Sequence, residues 1–238
     1  MPRRSVHPAR FLVAHRGDQT CAIENTLAAF SAAAKAGACF LECDIQFTKD
    51  FIPLVLHNHG LEKLNIGSTA KVSQFTYLEL LEKTARIYPL LTFKALLHWL
   101  EQYPDITLFA ELKPSILRRK TPEQTIHTIL SMISETLRSQ IVLISQSALL
   151  IEACSHQFSG DVGWVAEHHH IPDSSFSYLF LPASRAGEAM AWQQQGITCA
   201  VYTVDDAKQA RALLSDGIEL IETNHFGRMK KELENVRE

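Results

Sequence analysis

Short apolar runs alternate with amphipathic stretches along nearly the whole chain, a pattern that predicts a parallel sheet wrapped by helices. Eight runs read as strands, at 11–15, 40–47, 107–112, 141–145, 162–165, 178–181, 198–204 and 219–223. Helical stretches fall between most of them, at 26–35, 93–103, 122–137, 148–156, 184–195 and 207–215, with a charged final helix at 228–238. Local signals agree with these boundaries. Thr92 can cap the helix that follows it, Pro122 suits a first helical turn, and Gly37, Gly196 and Gly217 stand where helices should stop. Residues 60–88 break the alternation. Gly67, Ser68 and Thr69 read as loop and 77–84 as a short helix, so this stretch is an insertion between the second and third strands, after a short extended piece at 53–57. Eight strands separated mostly by helices predict an α/β fold, a (β/α)8 TIM barrel in one domain over 1–238. A doubly wound open sheet fits less well, because no Gly-rich dinucleotide turn follows any strand.

Composition narrows the partners. A net charge of −3 over 238 residues gives no general attraction for nucleic acid or anionic lipid, so any phosphate recognition must be local. Five scattered cysteines, an odd number with no CxxC pair, fit a reducing compartment. The apolar run behind the basic N-terminus is too short for a signal segment, and no stretch approaches the ~20 apolar residues of a membrane span. The expectation is a cytoplasmic monomer or homodimer without stable membrane insertion, acting on a small molecule.

Chemistry concentrates between Val13 and His57. Glu42 and Asp44 lie two apart in a strand, so both carboxylates point to one face, while Cys43 between them points to the helical layer. Two such acids in a cleft repel, and the pair requires a proton, a basic partner or a metal cation. On a barrel, active sites gather at the C-terminal ends of strands. His15, Arg16 and Gly17 end the first strand, Glu42 and Asp44 lie late in the second, Glu111 and Lys113 end the third, and Thr203 to Asp205 end the seventh. They converge on one rim.

His-Arg-Gly at 15–17, Glu-Asn-Thr at 24–26, Glu-x-Asp at 42–44, Thr-Lys-Asp at 48–50, Val-x-His at 55–57, Glu-x-Lys at 111–113 and Thr-Val at 203–204 together resemble the glycerophosphodiester phosphodiesterases, relatives of the phosphatidylinositol-specific phospholipases C. The resemblance implies a metal-dependent hydrolase that splits a glycerophosphodiester into glycerol 3-phosphate and an alcohol. It implies that Glu42, Asp44 and Glu111 hold a divalent cation, that His15 and His57 act as general acid and base, and that Arg16 and Lys113 bind the phosphate. The residue types suit those roles. Three carboxylates are hard oxygen ligands that favour Mg²⁺ or Ca²⁺ over Zn²⁺. Imidazoles with pKa values near neutrality can exchange protons, and a guanidinium fork matches phosphate.

The sequence also departs from that family. Asn58 replaces the usual aspartate after the second histidine, Ile23 the proline before Glu24, Tyr202 a common tryptophan, and Asp205 the usual asparagine. Two other readings therefore stand beside the first, a lysophospholipase D-type hydrolase and a non-catalytic phosphate-binding barrel. Asn25 or Thr26 reads first as a helix cap. The run His168-His169-His170 reads as a solvent loop, since consecutive residues cannot easily face one ion.

Overall fold

Eight parallel strands close into a ring in the computed structural model, which describes residues 8–20, 22–57, 71–84, 87–167 and 172–235. In chain order the elements are β1 (Leu12–His15), α1 (Leu27–Lys35), β2 (Phe40–Phe47), β3 (Pro53–Val55), α2 (Tyr77–Thr84), α3 (Phe93–Leu100), β4 (Thr107–Leu112), α4 (Pro122–Leu130), β5 (Ile141–Ser145), α5 (Ala148–Gln157), β6 (Val162–Val165), β7 (Tyr178–Pro182), α6 (Ala189–Gln193), β8 (Thr198–Tyr202), α7 (Ala207–Ser215), β9 (Leu220–Thr223) and α8 (Phe226–Glu234). The sheet order is β1-β9-β8-β7-β6-β5-β4-β2-β3, and β1 also pairs with β2, which closes the barrel. Among the described strands, β3 alone lies outside the ring, antiparallel to β2 with Ile45 opposite Val55. The fold is the expected (β/α)8 barrel.

Side-chain alternation on the strands builds two cores. Ala14, Leu41, Cys43, Ile45, Leu108 and Ala110 point outward beneath the helices. Val13, Phe109, Val142, Ile144, Val165, Phe180, Ala200 and Leu220 point inward and fill the barrel. Phe109 anchors this inner layer, edge-on to Phe180 at 5.0 Å and to Tyr178 at 5.1 Å. The polar residues at the C-terminal mouth therefore stand on an aromatic and aliphatic floor.

Helix starts follow the sequence signals. Thr26, Thr92, Thr121 and Asp206 each accept a bond from a backbone N–H three residues on, and Thr121 forms a reciprocal box with Gln124. Helix ends were less legible. The helix opened by Pro122 stops at Leu130 rather than 137; the hydroxyls of Thr125, Thr128 and Ser131 fold back onto backbone carbonyls, and a 3₁₀ turn at Glu135–Gln140 follows. The helix expected at 184–195 splits into a 3₁₀ turn at Ala183–Glu188 and the five-residue α6. Of the insertion, the structure describes the 3₁₀ turn Val72–Gln74 and α2; residues 58–70, 85 and 86, and with them Asn58, lie outside the described residues, as do His168, His169, His170 and 236–238. Among the described residues no helix is long and apolar enough to cross a membrane.

Candidate active site

Strand register assembles the acids. His15 on β1 lies beside Glu42 on β2, and Asp44 on β2 lies beside Glu111 on β4. All three acids point into the barrel mouth, while Cys43 joins the outer core as the alternation required. One carboxylate oxygen from each of Glu42, Asp44 and Glu111 lies within 4.8 Å of the others.

Asp44 is the most heavily bound. Its carboxylate meets Lys113 Nζ at 2.6 Å and Arg16 Nε at 2.8 Å, and accepts a bond from Asn25 Nδ2 at 2.9 Å. Burial alone would raise its pKa, but Lys113 and Arg16 outweigh burial and hold it well below the usual carboxylate range. Glu42 lacks such neighbours. It accepts one backbone N–H, from Arg16 at 3.1 Å, and burial followed by repulsion from Asp44 and Glu222 pushes its pKa well up. Glu111 is raised mainly by burial, against the pull of Lys113.

A charge count tests whether a cation fits. Four buried carboxylates, Glu42, Asp44, Glu111 and Glu222, face two strong cations, Arg16 and Lys113. In addition, Glu42 Oε1 and Glu111 Oε1 are buried without a hydrogen bond. Unpaired acceptors, and crowding of carboxyls that raises the pKa of Glu42, Glu111 and Glu222 so that they resist ionising together, are what a hard divalent cation relieves, and Glu42, Asp44 and Glu111 would hold it.

The His-Arg-Gly motif works through its backbone. Arg16 and Gly17 both have positive φ, 57° and 85°, and a Cβ at position 17 would sit 2.6 Å from the carbonyl carbon of Ala29. This turn aims the Arg16 N–H at Glu42 and its guanidinium at Asp44 and at Glu24, 3.0 Å away. Glu24-Asn25-Thr26 divides its labour. Thr26 caps α1, as expected, whereas Asn25 has φ 57° and clamps Asp44 with both ends of its amide, accepting from the Asp44 N–H at 3.3 Å.

His15 stands between two partners. Its Nδ1 is 2.8 Å from Asn224 Oδ1, and its Nε2 is 3.4 Å from Glu222 Oε1 and 3.9 Å from Glu42 Oε2. Burial, reinforced by Arg16, lowers its pKa to about 4, and burial also lowers that of His57. The near-neutral value expected for His15 from the sequence therefore gives way to a ring held in the neutral form. His57 follows β3, and its carbonyl accepts a bond from Gln46 Nε2 at 2.9 Å.

His15, Arg16, Glu42, His57, Glu111 and Lys113 line one cavity of about 220 Å³, with Asp44 fully buried behind them. The structure brings all seven expected residues together. Ile144, Val165 and Phe180 line the cavity too, and Glu167, Tyr202, Thr203 and Glu222 complete its wall. Sequence reasoning missed Glu222, Asn224 and the supporting role of Asn25. Glu222 carried a signal, because alternation in β9 places it inward with Leu220.

A closed parallel barrel whose C-terminal mouth gathers four acids, two imidazoles, Arg16 and Lys113 around one cavity defines the class as a (β/α)8 protein with its polar site at the strand ends. The chain matches the glycerophosphoryl diester phosphodiesterase family over residues 15–133, half of its length, and it belongs to that family. It is similar to mouse glycerophosphodiester phosphodiesterase 1, 28% identical over 131 residues, a stretch that makes up 55% of this chain and 31% of the mouse protein. The chain thus spans about a third of that curated relative. In fold it resembles a glycerophosphodiester phosphodiesterase from Parabacteroides distasonis, with a TM-score of 0.80, 20% identity, and coverage of 96% of this chain and 98% of that one. An Oleispira antarctica phosphodiesterase, solved with the product sn-glycerol-3-phosphate, gives a TM-score of 0.78 at 19% identity, over 94% of this chain and 97% of that one.

Proposed function

We propose that the protein is a metal-dependent glycerophosphodiester phosphodiesterase, splitting a glycerophospho-alcohol into glycerol 3-phosphate and the alcohol. One observation carries this reading: three acids from two strands converge beside two histidines that line the same cavity. Glu42, Asp44 and Glu111 would hold Mg²⁺ or Ca²⁺, and the bound cation would draw negative charge off the phosphoryl oxygens. Arg16 and Lys113 supply N–H donors to the phosphate, the first as a planar fork and the second as a point charge. His15, neutral and with Nε2 toward the cavity, takes the proton of the attacking hydroxyl, whether that of water or of the substrate's own glycerol. His57 returns a proton to the leaving alkoxide, and each transfer contributes about 10²–10⁴-fold. The sn-glycerol 3-phosphate bound by the Oleispira antarctica enzyme is the product expected here. Thiols at Cys39, Cys43, Cys154 and Cys199, none in a disulfide, support a cytoplasmic setting for a monomer or homodimer.

The test is turnover. Glycerophosphocholine with Mg²⁺ or Ca²⁺ is expected to yield glycerol 3-phosphate, with at least a tenfold loss in EDTA. Faster turnover of a lysophospholipid to lysophosphatidic acid would shift the assignment to a lysophospholipase D. No turnover of either diester in either metal would leave a phosphate-binding barrel.

A further inference from the structure

Behind His15 lies a chain of hydrogen bonds with an unambiguous direction. Asp205, in the loop after β8, accepts at Oδ1 from the Asn224 N–H at 2.8 Å and from the Thr223 hydroxyl at 2.8 Å. The Thr223 hydroxyl itself accepts from the His225 N–H, so its proton is committed to Asp205. The other oxygen, Oδ2, accepts from Asn224 Nδ2 at 2.7 Å. A carboxylate only accepts, so Asn224 must turn its NH₂ to Asp205 and its carbonyl oxygen away. That oxygen receives Gln19 Nε2 at 2.8 Å and faces His15 Nδ1 at 2.8 Å. Gln19 is fixed in turn, because its Nε2 also donates to the His15 carbonyl at 3.1 Å while its backbone N–H donates to the Asn224 carbonyl. Reversing either amide would set donor against donor or oxygen against oxygen. An acceptor opposite Nδ1 requires a proton on Nδ1.

We propose that Asp205, acting through Asn224, fixes His15 in the tautomer that carries its proton on Nδ1 and presents the Nε2 lone pair to the cavity, making Asp205 and Asn224 positioning residues for catalysis. The catalytic consequence rests on the reading of His15 as proton acceptor; the tautomer itself does not. Asparagine is the residue that the family resemblance leads one to expect at 205, yet beside Asn224 it is the wrong one. In Asp205→Asn the carbonyl oxygen must keep the Oδ1 position, where two donors converge, and the NH₂ takes the place of Oδ2 against the side chain of Asn224. Asn224 then turns over, giving up its bond from Gln19 Nε2 to gain one with the amide at 205, so that its NH₂ faces Nδ1 and the imidazole proton moves to Nε2. The second exchange, Asn224→Asp, repairs this. The carboxylate it introduces accepts from the amide now at position 205 and from Gln19, and again requires a proton on His15 Nδ1.

The experiment is ¹⁵N NMR of the His15 ring in the neutral form, together with steady-state kinetics on glycerophosphocholine, for the wild type, Asp205→Asn and the double exchange Asp205→Asn/Asn224→Asp. Nδ1 is expected to show a protonated-type shift and Nε2 a lone-pair-type shift in the wild type, with the two inverted in the single variant and restored in the double one. The kinetics should follow, with kcat reduced about 10²-fold in the single variant at little change in KM, and recovered to within tenfold in the double variant, in keeping with loss and return of one proton acceptor. A wild-type His15 protonated on Nε2, or a single variant that retains the Nδ1–H tautomer, overturns the inference whatever the activity. A single-variant loss that the double exchange does not repair overturns it as well. Wild-type protein with the expected tautomer and no diester turnover would instead remove the proposed function, and the ring spectra separate that outcome from the others.

Discussion

Glutamine at position 42 is expected to reduce metal-dependent diester hydrolysis by about 10³-fold or more, the scale of losing a Lewis-acid ligand and its charge from a phosphoryl-transfer site. The fold should survive. Glu42 accepts one hydrogen bond, from the Arg16 N–H, and the amide oxygen of glutamine can accept the same bond. Its charge, by contrast, is a burden to the metal-free protein, since burial and the neighbouring Asp44 and Glu222 all oppose ionisation. Glu42→Gln should therefore melt no lower than the wild type while losing calorimetrically detectable Mg²⁺ or Ca²⁺ binding. Unchanged activity would take Glu42 out of the site.

The second large effect concerns pH. Burial, with Glu111 adding to it, raises the pKa of Glu222 to about 8 from an ordinary value near 4.5. The folded protein thus holds a proton on Glu222 through a range in which the unfolded chain has released it, so stability is greatest below about pH 4.5 for this group and falls as pH rises toward about 8. Asp44 acts in the opposite sense. Its depressed pKa gives stability that is present above the unfolded value and lost only in strong acid. In EDTA, the urea midpoint is expected to fall between pH 5 and pH 8. Glu222→Gln should lessen that slope, to which the raised Glu42 and Glu111 also contribute, and should raise the midpoint at pH 8. A midpoint that rises over this range, or a slope that Glu222→Gln leaves intact, would contradict the assignment.

Much of the architecture was legible because a barrel imposes two independent periods on its sequence. Strand alternation turned Glu42 and Asp44 inward and Cys43 outward, and the recurrence of apolar runs gave all eight barrel strands. Helix ends were harder to place. Between 122 and 137 nothing in the apolar pattern marks Leu130 as the end; three hydroxyls that bond backward to the backbone sit there, and the chain continues in a 3₁₀ turn. The site itself was legible where chemistry-bearing residues cluster in short motifs. Its supports were not. Asn224 and Asp205 stand 19 positions apart and act on His15 from the far end of the chain, so pairing of β8 with β9 joins the two and closure of β9 onto β1 brings them to the ring. Asn25 and Thr26 both read as possible caps, and Thr26 takes that role, which leaves the Asn25 amide to Asp44.

Lys113 shows how one residue serves both states of the site. Its ammonium bridges Asp44 and Glu111, and although burial disfavours its charge, those two acids more than offset burial and keep it protonated. It holds together acids that would otherwise repel, at the same mouth where a phosphate is expected to lie.

Anomalous diffraction from crystals grown with Mn²⁺ as a substitute for the native cation tests the central claim most directly. A single strong peak is expected among the carboxylates of Glu42, Asp44 and Glu111, at about 2.0–2.6 Å from their oxygens, the range for hard divalent ions. A peak elsewhere, or no peak at millimolar Mn²⁺ with the three carboxylates ordered as they are here, would contradict it.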